Sequence, residues 1–190
     1  MPVASLAMVS VSDAAWQAGE EATAPRFYLD WEGMREGQES LDAPFTPAVS
    51  VVVGLNVALG MILERGLEAA FEHHVRLGRA CREGIKAMGL ELFSPDDDTS
   101  AVVTTVRVPE PVDGTQFLLD VRDRMGITLA PGQGPIKGKV FRIGHIGFFD
   151  VFDITTALAG IELCLAEAGA DIERGVAVTR ALETYEHLPA

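Results

Sequence analysis

An arginine inside a short apolar segment is the first residue in this sequence whose setting suggests recognition chemistry. Arg142 stands between Phe141 and Ile143 in VFRIG, a segment whose β-branched and apolar residues predict a strand. Because successive side chains of a strand point to opposite faces, Arg142 should face away from its apolar neighbours. Two interpretations stay open: a surface charge on a half-buried strand, or a planar fork that binds a carboxylate through two charge-assisted hydrogen bonds.

A glycine-rich loop precedes this strand. Its sequence, PGQGPIKGK over residues 131–139, matches neither the GxxxxGK[ST] phosphate-binding loop nor a GxGxxG turn that opens a helix. Its glycines allow either a close approach of the backbone to another group or simply a tight turn. Taken alone, the loop is a weak functional signal.

Thr46 and Pro47 stand before a long apolar segment. A threonine followed by a proline is typical of a helix start, with the threonine as N-cap and the proline in the first turn. The same arrangement could bind a phosphate, because a helix amino terminus presents free N–H groups and the threonine adds a hydroxyl. The two interpretations are compatible with each other.

The remaining candidate residues favour structural roles. His145 has no acid or nucleophile beside it in sequence, and His73 and His74 lack further metal ligands at suitable spacing. We therefore predict a structural polar role for His145, solvated side chains for His73 and His74, and no metal site. Cys81 and Cys164 belong to no CxxC or Cys/His group, so both are predicted to be small buried hydrophobic residues.

The composition is that of an acidic, globular chain. Of its 190 residues 48% are hydrophobic, enough to bury the core of one domain with an appendage. A formal net charge of −13 repels phosphate backbones and anionic lipid surfaces, so we expect neither nucleic acid nor a membrane as partner. Short, interrupted apolar runs and no basic segment ahead of a long apolar stretch predict a cytoplasmic protein.

The first part of the chain contains segments of different character. Residues 6–12 (LAMVSVS) predict a strand, with Ser12 as the N-cap of a following helix. Residues 26–42 mix aromatic and charged residues without periodicity, as a connecting segment would. Residues 48–64 are apolar on nearly every side, which predicts a helix that is buried on most sides or pressed into a subunit interface.

The second part of the chain alternates helices and short strands. Charges at three- and four-residue spacing predict an amphipathic helix over residues 67–88. Strands are predicted over residues 90–93, 101–108, 127–130 and 139–144, and helices over residues 114–124 and 150–168. This β-β-α-β-β-α order describes a small α/β sandwich with helices on one face, followed at residues 171–190 by one more helix or a tail.

Several of these segments together resemble the class V (fold type I) pyridoxal-phosphate aminotransferases of the alanine/serine–glyoxylate type. They are LAMVSVSD, RFYLDW, PFTPAVS, ILERGLE and, most specific of all, GQGPIKGKVFRIGHIG. The resemblance covers nearly the whole chain and implies the C-terminal small domain of such an α/β enzyme. That domain has a small, mostly antiparallel sheet with helices on one face, preceded by a strand, a connecting segment and a long interface helix.

The resemblance also implies a division of the chain and roles for two residues. Residues 1–47 would be a remnant of the large cofactor domain, and residues 48–190 the interface helices and the C-terminal α/β sandwich. Arg142 matches the arginine that binds the substrate α-carboxylate. Thr46 matches the threonine that reaches the phosphate of pyridoxal 5′-phosphate in the other subunit of a homodimer. Some family members have a tyrosine near this threonine, so a phenol contact is missing from the segment 43–45 of this chain.

The resemblance implies no catalytic residue within this chain. The family's Schiff-base lysine lies before the point that matches Met1 and Pro2, and Lys86, Lys137 and Lys139 do not correspond to it. Transamination needs that lysine to hold the cofactor and to move a proton, so we expect no turnover and no stable cofactor binding by the chain alone.

Two hypotheses about function stay open. In the first, the chain is the C-terminal part of a transaminase that transfers an amino group from a small amino acid, such as alanine or serine, to glyoxylate or pyruvate. In the second, it is a non-catalytic small α/β module that binds carboxylates or serves in dimerisation. A lysine segment and a glycine-rich large domain encoded immediately upstream would favour the first hypothesis.

Overall fold

A computed structural model of the chain describes residues 6–95 and 100–187. The chain divides into two compact units, Met1–Met61 and Ile62–Ala190. The predicted domain boundary at residue 47 lies within the first unit. Met1 and Pro2, before which the resemblance places the family's Schiff-base lysine, lie outside the described residues.

The first unit begins with a capped helix. Helix α1, Asp13–Glu21, starts directly after Ser12, whose hydroxyl accepts a hydrogen bond from the Ala15 N–H at 3.3 Å. The predicted N-cap is therefore confirmed. The predicted strand over residues 6–12 is wrong, because these residues pair with no strand and lie at the surface. A strand needs a hydrogen-bonded neighbour, and no described residue provides one here.

A second short helix occupies the predicted connecting segment. Helix α2, Trp31–Glu39, was not expected, because nine residues are too few to show a clear 3.6-residue period. Its side chains instead make local contacts that support a helix. Arg35 pairs with Glu32 at 2.9 Å, and its guanidinium lies over the Trp16 ring of α1, 4.5 Å from the ring centroid.

The long apolar helix forms as predicted but is not covered within this chain. Helix α3, Val49–Arg65, contains no buried residue. Of the two predicted alternatives, burial on most sides does not hold within this chain, and the subunit interface stays a prediction. Its apolar side chains that are at least 40% exposed are Val49, Val52, Val53, Val57, Leu59, Met61, Ile62 and Leu63.

An amphipathic helix follows α3 after a break at Gly66. Helix α4, Leu67–Ala87, confirms the prediction for residues 67–88. Gly66 has a φ of 92°, a left-handed conformation that favours glycine and ends α3. No single described helix is long and apolar enough to cross a membrane, and only the bent pair of α3 and α4 meets that test in combination.

A small antiparallel sheet lies at the centre of the second unit. Its strands are β1, Val103–Arg107, β2, Ala130–Pro131, and β3, Val140–Gly144, with β3 in the middle. The predicted strand over residues 90–93 is reduced to a single bridge between Leu92 and Val106. Strand β2 is shorter than predicted and lies later in the sequence. It is an edge strand and ends at Pro131, which has no N–H to continue the ladder.

Three further helices complete the second unit. Helix α5, Gly114–Met125, and helix α6, Val151–Glu167, match their predictions, and α7, Ala177–His187, is a helix within the final predicted segment, of which residues 188–190 lie outside the described residues. The Asp150 and Asp153 side chains form a capping box at the start of α6. The predicted α/β class and the small antiparallel sheet with helices are thus confirmed.

The core lies where the helices meet one face of the sheet. On β3, Phe141 and Ile143 are buried, and the Phe141 ring packs against Phe117 of α5 with ring centroids 5.1 Å apart. Val106, the cross-strand partner of Phe141, is fully buried on the same face. The other large, fully buried side chains of the cluster are Leu77, Ile85, Met88, Val121, Ile154, Leu158, Ile161 and Leu165.

We expect Phe141→Ala to lower the free energy of unfolding by about 3–5 kcal/mol, because it removes a fully buried ring and leaves a cavity beside Phe117. Denaturant titration of the purified chain measures this change. The matched control is Phe148→Ala, since Phe148 is 81% exposed and should cost about 0.5 kcal/mol or less. Equal losses in the two variants would contradict the placement of the core.

Candidate functional site

Arg142 lies in the middle of the central strand, on the face opposite the core. It is half-buried, while Phe141 and Ile143 on either side are buried, as the alternation predicted. Its cross-strand neighbours are Thr105 on β1 and Ala130 on β2, neither of which carries a charge. The guanidinium is therefore held in the sheet without an adjacent acidic partner on the flanking strands.

The guanidinium makes one hydrogen bond within the described residues. Its Nε donates to the carbonyl oxygen of Pro131 at 3.1 Å. No described residue accepts a hydrogen bond from Nη1 or Nη2 of Arg142. An arginine held through Nε with both Nη groups open presents two parallel donors, the arrangement that a carboxylate binds.

The glycine-rich loop folds back beside this arginine. After β2 it makes a short 3₁₀ turn, Gly134–Ile136, and returns to β3 through a hydrogen bond from the Gly132 N–H to the Val140 carbonyl at 3.2 Å. A side chain at Gly132 would overlap the Ile136 carbonyl oxygen. The loop is thus a closely packed turn, and it contacts Arg142 through its backbone.

His145 is buried just beyond the end of β3, with both ring nitrogens hydrogen-bonded. Its Nδ1 lies 3.0 Å from the Ala101 carbonyl oxygen and its Nε2 lies 3.0 Å from the Thr104 hydroxyl. A carbonyl only accepts, so Nδ1 carries the proton and Nε2 accepts from Thr104. Burial lowers the pKa of His145 to about 4, which keeps the ring neutral near pH 7. These contacts support the predicted structural role.

His73 and His74 are partly exposed, and each also makes a hydrogen bond to the backbone that the prediction of solvated side chains did not include. His73 Nε2 lies 2.8 Å from the Phe149 carbonyl oxygen, and His74 Nδ1 lies 3.1 Å from the His145 carbonyl oxygen. Both rings therefore donate to the segment that follows β3 and attach it to α4. Sequence alone could not show this, because the acceptors are backbone carbonyls more than seventy residues away.

Both cysteines are buried, as predicted. Burial raises the pKa of the Cys81 thiol to about 12, and burial also raises the pKa of Cys164. Thiols in this state are poor nucleophiles. Within residues 6–95 and 100–187, no group of three or more His, Cys, Asp or Glu side chains is placed to hold a metal ion.

Thr46 lies in the first unit, on an exposed segment that leads into α3. The preceding residue, Phe45, packs against the rings of Phe27 and Tyr28, with centroid distances of 5.5 and 4.9 Å. This cluster of three aromatic rings orients the chain immediately before Thr46. The Thr46 hydroxyl makes no hydrogen bond with another described residue, so it can accept or donate to a ligand.

The interpretation of Thr46 as N-cap is wrong. Helix α3 begins at Val49, and the Ala48 carbonyl accepts the first helical hydrogen bonds, from Val51 and Val52 at 3.0 Å each. Ala48 therefore occupies the capping position, and Thr46 lies two residues earlier. The hydroxyl is not used to stabilise the helix.

Comparison with known proteins confirms the resemblance to aminotransferases. No protein-family model matches the chain. The curated relatives nevertheless include serine–glyoxylate and ureidoglycine–glyoxylate aminotransferases, at 32% and 38% identity. The chain therefore belongs to the class V aminotransferase family and corresponds to its C-terminal region.

Three relatives illustrate this similarity. The chain is 32% identical over 184 residues to the serine–glyoxylate aminotransferase of Arabidopsis thaliana, covering 96% of this chain and 46% of that protein. It is 42% identical over 164 residues to a protein of Synechococcus named soluble hydrogenase, small subunit, covering 86% and 42%. The crystal structure of the ureidoglycine–glyoxylate aminotransferase of Bacillus subtilis superposes with a TM-score of 0.85 at 34% identity, covering 92% and 46%. The chain thus spans less than half the length of these relatives.

We expect the free energy of unfolding to decrease as the pH falls from 6.5 toward 4. In the unfolded chain a histidine protonates near 6.5, whereas folded His145 stays neutral to about pH 4, so the unfolded state binds more protons in this window. The stability is therefore present above pH 6.5 and is lost below it, by on the order of 3 kcal/mol. Denaturant titrations across this pH range measure the loss.

His145→Gln should flatten this pH dependence, leaving the smaller contribution of His74, whose pKa burial also lowers. The control is Val106→Ala, which removes part of a fully buried side chain without a titrating group. It should lower stability at every pH and keep the slope. An unchanged slope in His145→Gln would show that another group is responsible.

Proposed function

We propose that this chain is the C-terminal part of a pyridoxal-phosphate-dependent transaminase that transfers an amino group from a small amino acid, such as alanine or serine, to glyoxylate or pyruvate. The names of the relatives support amino-group transfer to glyoxylate or pyruvate as the reaction class. The observation that carries the proposal is Arg142, whose Nε is held by Pro131 while Nη1 and Nη2 have no partner among the described residues.

Arg142 binds the α-carboxylate shared by the amino acid and the 2-oxo acid. Both substrates of a transaminase carry this group next to the reacting carbon, so one arginine can orient both half-reactions. A guanidinium matches a carboxylate with two parallel N–H···O bonds, and a half-buried position strengthens them relative to bulk water. The neutral neighbours Thr105 and Ala130 leave this charge available to the substrate.

Thr46 contacts the phosphate of pyridoxal 5′-phosphate. When bound, this cofactor supplies the electron sink that amino-group transfer needs. The residues present suit a phosphate: an exposed hydroxyl without another described partner lies just before the amino terminus of the seventeen-residue helix α3. The aromatic cluster of Phe27, Tyr28 and Phe45 fixes the segment that carries it.

A homodimer accounts for the exposed surface of α3. An apolar helix without a buried residue is unfavourable in water, and contiguous apolar patches of this kind mark association surfaces. We therefore place α3 at the subunit interface of a cytoplasmic enzyme. Residues 1–47 then belong to the large cofactor domain and residues 48–190 to the interface helices and the small domain.

Arg142→Lys is the decisive test of substrate binding. The substitution is made in a full-length enzyme, built by joining this chain to the amino-terminal half of the Bacillus subtilis relative. An ammonium replaces a bidentate fork poorly, so kcat/KM for amino acid and 2-oxo acid should fall about 30- to 1000-fold, equivalent to about 2–4 kcal/mol. Cofactor absorbance should be unchanged.

The control for this experiment is Arg107→Lys on the neighbouring strand. Arg107 pairs with exposed Glu91 at 2.9 Å, and surface pairs of this kind contribute little. Its kcat/KM should stay within a factor of about three of the parent enzyme. If Arg142→Lys behaved like this control, the interpretation of Arg142 as a surface charge would be correct. A joined protein that folds and binds carboxylates without transamination would favour the non-catalytic module.

Thr46→Ala should weaken the cofactor rather than the substrate. Removing a single hydroxyl contact to the phosphate should raise the dissociation constant of pyridoxal phosphate about tenfold, with a smaller effect on substrate selectivity. Thr46→Ser retains the hydroxyl and is the matched control. Fluorescence titration of the joined protein with the cofactor measures both. Equal affinities for the Ala and Ser variants would remove Thr46 from the cofactor site.

A further inference from the structure

We propose that the carbonyl oxygen of Pro131 positions the Arg142 guanidinium so that it binds a carboxylate end-on, through Nη1 and Nη2, and that Gly132 is the positioning residue that makes this possible. The inference rests on the proposed function and deepens it. The substrate carboxylate then binds at Nη1 and Nη2 of Arg142, and the Pro131 carbonyl orients these two groups.

The hydrogen bond to Pro131 limits the donors with which Arg142 can bind a carboxylate. A guanidinium can bind a carboxylate side-on, through Nε and one Nη, or end-on, through Nη1 and Nη2. The Nε–H of Arg142 already donates to Pro131 at 3.1 Å. Side-on binding would break this bond, so the end-on edge is the one that the folded chain presents.

The carbonyl oxygen of Pro131 is held in place by the backbone on both sides of it. Pro131 pairs with Phe141 at the end of the edge strand β2, and its ring fixes its own φ. The next residue, Gly132, donates its N–H to the Val140 carbonyl at 3.2 Å. The peptide that carries the acceptor oxygen is therefore held on both sides, and the oxygen has a fixed position relative to β3.

Residue 132 has no room for a side chain. A Cβ at this position would overlap the Ile136 carbonyl oxygen and would lie 2.8 Å from Cγ2 of Val140. Val140 is buried and belongs to the same face of β3 as Arg142, two residues away. A methyl group here would push the loop off the face on which Arg142 lies and would move the Pro131 carbonyl with it.

The far end of the loop is fixed in the same manner. The Lys139 carbonyl accepts a hydrogen bond from the Val108 N–H at 2.9 Å, and Gly138 has a φ of 75° that favours glycine. A side chain at Gly114, the first residue of α5, would overlap the Gly138 carbonyl oxygen. With both ends packed, the loop cannot rearrange freely to absorb a methyl group at Gly132.

The test uses the full chain, labelled with isotopes at arginine, and follows the side-chain N–H signals by nuclear magnetic resonance. Without ligand, the Arg142 Nε–H should exchange with water at least about tenfold more slowly than that of an exposed arginine, because it is hydrogen-bonded. This measurement requires no substitution. Rapid exchange of the Arg142 Nε–H would overturn the inference.

Pyruvate is then titrated as the carboxylate probe. We expect large shifts of the Nη signals of Arg142 and a retained, slowly exchanging Nε–H. Gly132→Ala should lose the slow exchange and raise the dissociation constant of pyruvate about tenfold. The control is Gly144→Ala on β3, where a Cβ meets no atom within 4 Å, and it should match the parent chain.

The outcomes separate this inference from the proposed function. If Arg142→Lys weakens pyruvate binding but Gly132→Ala does not, only the positioning role fails. If the Nε–H signal responds to pyruvate as strongly as the Nη signals do, binding is side-on and the inference is wrong. If neither Arg142→Lys nor Gly132→Ala changes pyruvate binding, the proposed role of Arg142 fails as well. The same loss in Gly144→Ala would show a general effect of methyl groups on β3 and would overturn the role of Gly132.

Discussion

The register between β1 and β3 is the constraint on which the candidate site depends. Thr105 lies opposite Arg142, and Thr104 lies opposite Ile143. Because side chains alternate along a strand, a slip by one residue would turn Arg142 into the core and expose Phe141 and Ile143. Burial of these apolar side chains therefore also holds the guanidinium outward. His145 reinforces the same register through its bonds to Thr104 and Ala101.

His145 and Arg142 are polar side chains of this region that differ in burial and in charge. His145 is fully buried and neutral, and each ring nitrogen has a partner, so no charge is taken into the core. Arg142 keeps its charge, remains half-buried and uses a carbonyl rather than a carboxylate as its partner. In a chain with a net charge of −13, an arginine without an acidic partner on the flanking strands is notable, since acidic side chains are plentiful.

Local patterns predicted most helices and the orientation of Arg142, because both follow from short-range periodicity. The cap at Ser12 and the alternation in β3 needed only neighbouring residues. The errors arose where a structure depends on distant partners. Residues 6–12 have strand-like composition but no neighbouring strand among the described residues, and the acceptors of the histidine pair on α4 are distant carbonyls. The bond between Arg142 and Pro131 depends on how an entire loop closes, which no single residue indicates.

Helix α3 is formed by the chain but is not packed by it. None of its residues is buried, so its side chains contribute little to the packing of the chain that carries them. Selection for stability of this chain alone would leave such positions free to become polar over evolutionary time. The mostly apolar side chains of α3 are what the proposed subunit interface would require, so intolerance to a charge at Val53 or Leu63 would report on that proposed interface rather than on the fold.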